Sequence, residues 1–337
     1  MKHFLSLLAW IVVMSFQLSC QAQSPLQVQT QAQSLVQDYP NKAVKLVVTY
    51  PPGGGADVTA RIVGQKLAQI WKQPVLIENK PGAGGNLGAE QVVRSAADGY
   101  TLLLVSASQV GNAALLEKTT FDLLTDFVPL GMLTSSPIVI AVNNRLAAHD
   151  LREFIALMKS QPDRLNYASC GIATTHHFAM ELLKFQMQAK AVHIPYKCAS
   201  AVSDLLGNQL DVIVVTLPPA LPFILQGKMR ALAVTSAKRS PNAPQIPTVS
   251  ESGLEELKDY AVENYYGLIA PSNTPAALVR KLELDIKSVS DDVSTQSKLS
   301  AAGLDTFYKT PAQTTALLSG DIKFYKKMAK EAHIQQE

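Results

Sequence analysis

The chain has 337 residues, with 30 Lys and Arg against 27 Asp and Glu, for a formal net charge of +3. This near-neutral balance comes with no Lys/Arg run and no interleaving of basic with aromatic residues, so no nucleic-acid partner is expected. Three cysteines are too few for a disulfide scaffold, and the length is enough for two domains with substantial cores.

The chain opens on Lys2 and His3, followed by an apolar run over 4–16 that is too short to span a bilayer. Residues 1–22 therefore read as a signal peptide, implying an exported, periplasmic protein. Cys20-Gln21-Ala22 offers small residues for cleavage before Gln23. Leu18-Ser19-Cys20 resembles a lipoprotein signal, so a lipid anchor at Cys20 stays open. The Gln/Ser-rich segment 23–39 reads as a flexible tether.

Strands then alternate with helical patterns. A strand over 44–50 leads into Pro51-Pro52-Gly53-Gly54-Gly55-Ala56-Asp57, with Asp57 expected to cap a helix through Ile62, Val63, Leu67, Ile70 and Trp71. Three glycines leave the loop bare of side chains, and a following helix presents free N–H groups and its positive dipole end. The stretch is neither a Walker loop nor G-x-G-x-x-G. Alone, it fits an anion cradle and a ligand-free tight turn equally well. A strand over 75–78 precedes a second glycine loop, Pro81-Gly82-Ala83-Gly84-Gly85, with Asn86 expected to cap a helix to Ala96. Residues 101–106 form a third strand, and 127–134 and 137–143 are extended.

A second alternating set follows. It comprises a helix over 151–159, a strand over 165–168, a Thr174-capped helix, a strand over 192–196, and a Ser200-capped helix ending near Gly207. A strand over 212–216 then leads through a proline-broken helix to 230–235. After a proline-rich loop, 265–270 is extended, and helices run from Pro275 onward with a short strand near 306–308. Two such sets predict an α/β fold of two mostly parallel sheets flanked by helices. Domain 1 is expected over 40–141 and 265–337, and domain 2 over 142–264. Ligands of open α/β sheets bind beyond the C-terminal strand ends. The loops at those ends are rich in Gly, Ser and Thr and poor in carboxylates.

The ordered motifs resemble one family. They include Tyr50-Pro51-Pro52-Gly53-Gly54-Gly55-Ala56-Asp57, Glu78-Asn79-Lys80-Pro81-Gly82-Ala83-Gly84-Gly85-Asn86, Asp98-Gly99-Tyr100 and Leu165-Asn166-Tyr167-Ala168-Ser169. They continue with His176-His177, His193-Ile194-Pro195-Tyr196-Lys197, Arg230-Ala231-Leu232-Ala233-Val234-Thr235, Ile246-Pro247-Thr248 and Tyr266-Gly267-Leu268. Together they are similar to the Bug proteins, the extracytoplasmic solute-binding subunits of tripartite tricarboxylate transporters. The resemblance implies a two-domain, venus-flytrap periplasmic-binding-protein fold that closes on a small organic carboxylate. It implies no catalysis, cofactor or metal, and a monomer that meets membrane transporter subunits. A subunit signalling to a membrane sensor kinase needs the same closing cleft.

The residues expected around the ligand are Tyr50, Pro52, Gly53, Gly54, Gly55, Ala56 and Asp57, with Gly84, Gly85, Asn86, Ser106 and Ser108. From the second domain come Ser169, Gly171, Thr174, Thr175, His176, Tyr196, Lys197 and Thr216. Asp57 also has a capping role to explain it, and Lys197 a solvent-facing one. Cys170 and Cys198 stand where the family carries small residues, and Val215-Thr216 where many relatives carry Asp-Asn. The lost acid favours plain carboxylates over amino acids as ligands. Cys170 and Cys198 each follow a strand of one βαβ unit, so a disulfide between them is open beside two free thiols. A thiol hydrolase using Cys170 is the remote enzymatic alternative. His176 and His177 are adjacent on a helix, about 100° apart, and do not form a chelating pair.

Overall fold

The computed structural model describes residues 38–115, 120–196, 198–332 and 334. The expected signal peptide, both processing readings at Cys20 and the tether up to 37 lie outside the described residues, as does Lys197. Residues Pro40–Glu337 form one folded unit.

Strand β1 (Val44–Val48) buries Val44, Leu46, Val47 and Val48 and leads into α1 (Gly55–Trp71). The N-cap of α1 is Gly54, so Asp57 lies inside the first turn rather than at the cap expected for it. A carboxylate there still faces the positive helix end. β2 (Val75–Asn79) and a short 3₁₀ turn (Ala83–Gly85) precede α2 (Asn86–Val93), whose cap is Gly85 and not Asn86. β3 (Thr101–Ser106) runs straight into α3 (Ala107–Leu115). The two extended stretches expected around 127–143 are one long strand, β4 (Phe127–Val142). Pro137 marks the point where its pairing changes neighbours, because proline supplies no N–H to a ladder.

The second set is α4 (Leu151–Ser160), β5 (Asn166–Ser169), α5 (Thr175–Met187), β6 (Val192–Pro195), α6 (Cys198–Leu206), β7 (Val212–Thr216), α7 (Leu217–Leu225) and β8 (Arg230–Val234). Thr174 caps α5 as expected, its side chain accepting from the His177 N–H. α6 begins before Ser200, which is therefore not its cap. β9 (Glu263–Pro271), α8 (Ala276–Asp291), α9 (Val293–Ala301), β10 (Asp305–Lys309) and α10 (Pro311–Glu331) complete the chain.

The strand order is β2-β1-β3-β9-β4-β7-β5-β6, with β8 and β10 also on β4. The α/β architecture is as expected, but the sheets are mixed where mostly parallel ones were expected. Among the described strands the parallel pairs are the outer ones, β1–β2, β1–β3, β5–β6 and β5–β7. β4 and β9 carry the chain between the two sets in opposite directions, so every pairing they make is antiparallel. From Phe127 to Pro137, β4 pairs with β9, and from Ile138 to Val142 with β7.

Each set has its own apolar core. Val47, Leu103, Val105, Val110 and Met132 pack in the first, and Phe154, Met158, Tyr167, Leu183 and Val214 in the second. Phe154 and Phe178 are fully buried, and truncating either to Ala costs on the order of 3–5 kcal/mol. The C-terminal helices return to the first set: Trp71 Nε1 donates to Asp285 at 2.7 Å, and Lys66 pairs with Asp292 at 2.7 Å.

Candidate functional site

Residues aligned across neighbouring strands face the same side of a sheet, and a strand alternates sides along its length. Tyr266 of β9 is aligned with Ser106 of β3 and Thr134 of β4, and Asn264 with Ser136. These five polar side chains therefore share one face at the carboxyl end of β3. They are all buried. Asn264 Nδ2 donates to the Tyr266 hydroxyl at 3.0 Å. A Cβ on Gly55 would sit 2.6 Å from that hydroxyl, so the start of α1 approaches Tyr266 only because the residue is glycine.

The second glycine loop joins the same group. Tyr50 Oη donates to the Gly84 carbonyl at 3.2 Å, and Asn112 Nδ2 donates to it at 3.1 Å. Gly84 has φ +63°, and a Cβ there would fall 2.3 Å from the Asn112 side chain. Gly85 has φ +102° and faces Thr49 and the Tyr50 hydroxyl. Burial pushes the Tyr50 phenol up to about 12, partly opposed by hydrogen bonds from Ser106 and Ser108. Burial likewise raises Tyr266, with Tyr50 adding to the effect.

The second set reaches this group through the start of α5. Ser108 Oγ lies 2.7 Å from Thr175 Oγ1 and accepts from the Thr175 N–H at 3.1 Å. His176 follows, 4% exposed, with neither ring nitrogen bonded, and burial alone lowers it to about 3. It is neutral at physiological pH. Thr49 Oγ1, Asn86 Oδ1, Gln109 Oε1, Ser136 Oγ and Asn264 Oδ1 are also buried without a partner. Buried polar atoms are normally bonded to protein or water, so these atoms keep hydrogen-bonding capacity for water or for a ligand. None of these side chains is charged. Neutral hydroxyls and amides, with helix N-termini, can hold an anion through hydrogen bonds.

Three comparisons place this geometry among known proteins. Residues 59–334 match the family described as the tripartite tricarboxylate transporter family receptor, TctC. The chain belongs to that family. Protein BugT of Bordetella pertussis is 32% identical over 297 residues, covering 87% of this chain and 90% of the relative. A solved R. palustris protein with adipate superposes with a TM-score of 0.83 at 28% identity, over 88% of this chain and 99% of its own. The periplasmic binding protein BugD gives 0.81 at 29% identity, over 89% and 100%. As a TctC-family protein the chain is a solute-binding receptor with the two-domain periplasmic-binding-protein fold.

Within this receptor the expected residues divide. The structure brings Tyr50, Gly55, Gly84, Gly85, Ser106, Ser108 and Thr175 into one group. Pro52 and Gly53 are exposed on the loop, and Gly54 has open space where a Cβ would be. Ala56 is buried in the helix start. Asp57 is bound internally. Its carboxylate accepts from Gly53 N at 3.1 Å, Arg61 Nε at 2.9 Å and Asn79 Nδ2 at 3.0 Å. Burial opposes ionisation, but Arg61 and these donors hold it below the usual carboxylate range.

Ser169, Gly171 and Thr174 build the loop ahead of α5. Ser169 Oγ lies 2.7 Å from His193 Nε2, and Thr174 Oγ1 donates to the Gly171 carbonyl at 2.7 Å. His193 stacks on His177 at 4.0 Å and on Tyr167 at 4.9 Å. Glu181 accepts from Tyr167 and from Lys184. Burial lowers His177 to about 4, with Lys184 adding, and His193 to about 3. Both rings are neutral packing groups, and His177 Nδ1 also accepts from the Ala173 N–H. Among the described residues no three His, Cys, Asp or Glu side chains form a metal-holding group. Tyr196 bonds Asp204 and packs on a further apolar cluster that includes Val139, Ala168, Ala201 and Val215. Thr216 is buried at the start of α7. Cys170 is disulfide-bonded, so it has no thiol to serve a hydrolase. The side chain of Cys198 lies outside the described residues.

Sequence reading missed Thr49, Gln109, Asn112, Asn264 and Tyr266. A usable signal was there: Asn264 and Tyr266 stand at strand spacing, directly ahead of the apolar run Leu268-Ile269-Ala270.

Proposed function

We propose that this receptor captures a small organic carboxylate between its two lobes in the periplasm and delivers it to the membrane subunits of a tripartite transporter, without catalysing a reaction. The buried, uncharged polar group spanning Tyr50, Ser106, Ser108, Thr175 and Tyr266, with its unpartnered atoms, carries the reading. The relatives solved with adipate and with malate support the ligand class. The lobes are proposed to divide near residues 141 and 265, shortly after β4 exchanges β9 for β7 at Pro137 and Ile138 and shortly after β9 begins at Glu263. Cys198 is proposed as the partner of Cys170, since β5 and β6 are adjacent and parallel with Ser169 aligned to Pro195. A reduction-sensitive cross-linked peptide containing both residues is the expected mass-spectrometric result.

The deciding experiment titrates unliganded protein with a panel of small mono-, di- and tricarboxylates by thermal shift and calorimetry. A ligand at a hundred times its Kd stabilises by about 2.7 kcal/mol. Gly54→Val supplies the control: its φ is −85° and its Cβ meets open space, so the fold is retained while the loop surface is altered. Weakened binding by a folded Gly54→Val protein is expected. A panel without a single binder would sink the proposal.

A further inference from the structure

Strand β9 has a second lined face. Opposite Asn264 and Tyr266, the protein holds a half-open cavity of about 330 Å³ between β9, β10 and α10. Its walls include Glu263 and Tyr265 of β9, Phe307 of β10, and Asp321, Phe324 and Tyr325 of α10. A volume of this size falls at the lower end of small-molecule sites.

Three observations set the chemistry of the occupant. The walls are aromatic: Tyr265 and Phe307 stack at 6.2 Å between centroids, and Phe324 meets Tyr325 edge-on at 5.3 Å. Their faces carry negative quadrupole potential, and Lys309 already sits 4.9 Å over the outer Phe307 ring. Two carboxyl groups line the same space, and Lys309 acts on Glu263 only at longer range than an ion pair. Asp321 accepts from the Tyr265 hydroxyl at 2.6 Å, and among the described residues no Lys or Arg forms an ion pair with either Glu263 or Asp321. Burial raises both carboxyls; at Glu263 the charges of Asp305 and Asp321 add to this while Lys309 opposes it, and at Asp321 the hydrogen bond from Tyr265 opposes it. Third, Tyr325 is 3% exposed and lines the cavity, yet its hydroxyl has no hydrogen-bond partner among the described residues. The residue is buried but its hydroxyl is reached by solvent through the cavity, so the oxygen is open to an occupant.

We propose that this cavity is a second ligand site, for an alkylammonium ion. The alkyl body lies against Phe307 and Phe324. The positive charge lies between Glu263 and Asp321, and an N–H, where the ion has one, donates to the Tyr325 hydroxyl. Aromatic walls make it a poor metal site, since rings offer no coordinating lone pair, and two carboxylates alone do not complete a coordination shell. An anion is excluded by the same two carboxylates. The site is thus opposite in sign to the cleft in front of β9 and independent of the function proposed for that cleft.

The test uses the full folded chain, titrated by calorimetry and by NMR with butylammonium and tetramethylammonium chloride at ionic strength held constant with sodium chloride. Binding of at least one ammonium ion is expected, together with no binding of 1-pentanol, the neutral counterpart of similar size. Glu263→Gln and Asp321→Asn should each weaken binding about tenfold, the scale of one lost charge contact. Phe324→Ala, at a side chain 40% exposed on the rim, should weaken it while leaving the core unaltered. Carboxylate titration of the same variants, or their melting profile if no carboxylate is found, shows that they are folded. Absence of ammonium binding, equal binding of the alcohol, or unchanged affinity in the Glu263→Gln/Asp321→Asn double variant would each overturn the proposal.

Discussion

The two faces of β9 are built from consecutive residues and carry opposite chemistry. Asn264 and Tyr266 look onto a neutral group of hydroxyls and amides shared with β3, β4 and the two glycine loops. Glu263 and Tyr265 look onto aromatic rings and a second carboxylate from α10. The difference arises because a strand sends alternate side chains to opposite sides, so a one-residue step changes the whole neighbourhood. One strand can therefore serve an anion on one side and a cation on the other, with the backbone ladder keeping the two apart.

Tyr266→Ala tests that separation most severely. The side chain is 3% exposed and fills the space between Gly55 and Asn264, so a loss on the order of 3–5 kcal/mol of stability is expected in denaturant unfolding. Carboxylate affinity should fall at least about tenfold, and an equal fall in ammonium affinity would show the two faces to be one site. Tyr265→Phe is the matched change on the other side. It removes a hydrogen bond to a carboxylate, at about 1.5–3 kcal/mol. Cleft affinity should stay within about twofold, as expected for separated sites.

Acid titration sharpens the contrast. Glu263 and Asp321 have carboxyls raised by burial, so their ionisation weakens the fold. That penalty is absent below the ordinary carboxyl pKa and fully present above their raised folded values. Asp57 is the reverse: its contribution is present above the ordinary aspartate value and is lost as pH falls through its lowered folded pKa. Asp321→Asn should therefore stabilise the protein at neutral pH relative to acid. Asp57→Asn should destabilise it at neutral pH and make its acid limb shallower. Opposite signs in the two melting-temperature profiles are the expected result. A common sign would show that the two carboxylates do not differ as their surroundings indicate.

The smallest expected effect is on cleft affinity itself. Tyr50 titrates at about 12 and His176 at about 3, so neither changes charge near neutrality. Binding of a fully ionised carboxylate should be flat between about pH 6 and 8, where an ordinary histidine would titrate. A step in that window would show that His176 is hydrated and charged in the open receptor.

Much of the fold was legible because its signals are local. Alternating apolar runs marked nearly every strand, and Thr174 capped its helix as read. Of the three cap expectations that failed, those at Asp57 and Asn86 share one cause. A glycine immediately upstream takes the cap position, freeing the polar side chain for tertiary bonds or a ligand. The glycine loops were visible as motifs, but Asn264 and Tyr266 were hidden because their partners are far away in sequence. Ser106 and Ser136 reach them only through the pairing of β9 with β3 and β4.

The sequence by itself determined the α/β alternation, the bare glycine loops at strand ends, and the ordered motifs of the receptor family. These depend on spacing and on the backbone freedom of a few residue types, which a linear chain displays. Only the tertiary structure decided that β4 and β9 run antiparallel, that Ser108 meets Thr175, and that Glu263 and Asp321 share a cavity. Those outcomes depend on register and on the order in which strands assemble. A shift of one residue would exchange the two faces of β9, and that register is held by the first core, to which its Tyr265 and Ile269 belong.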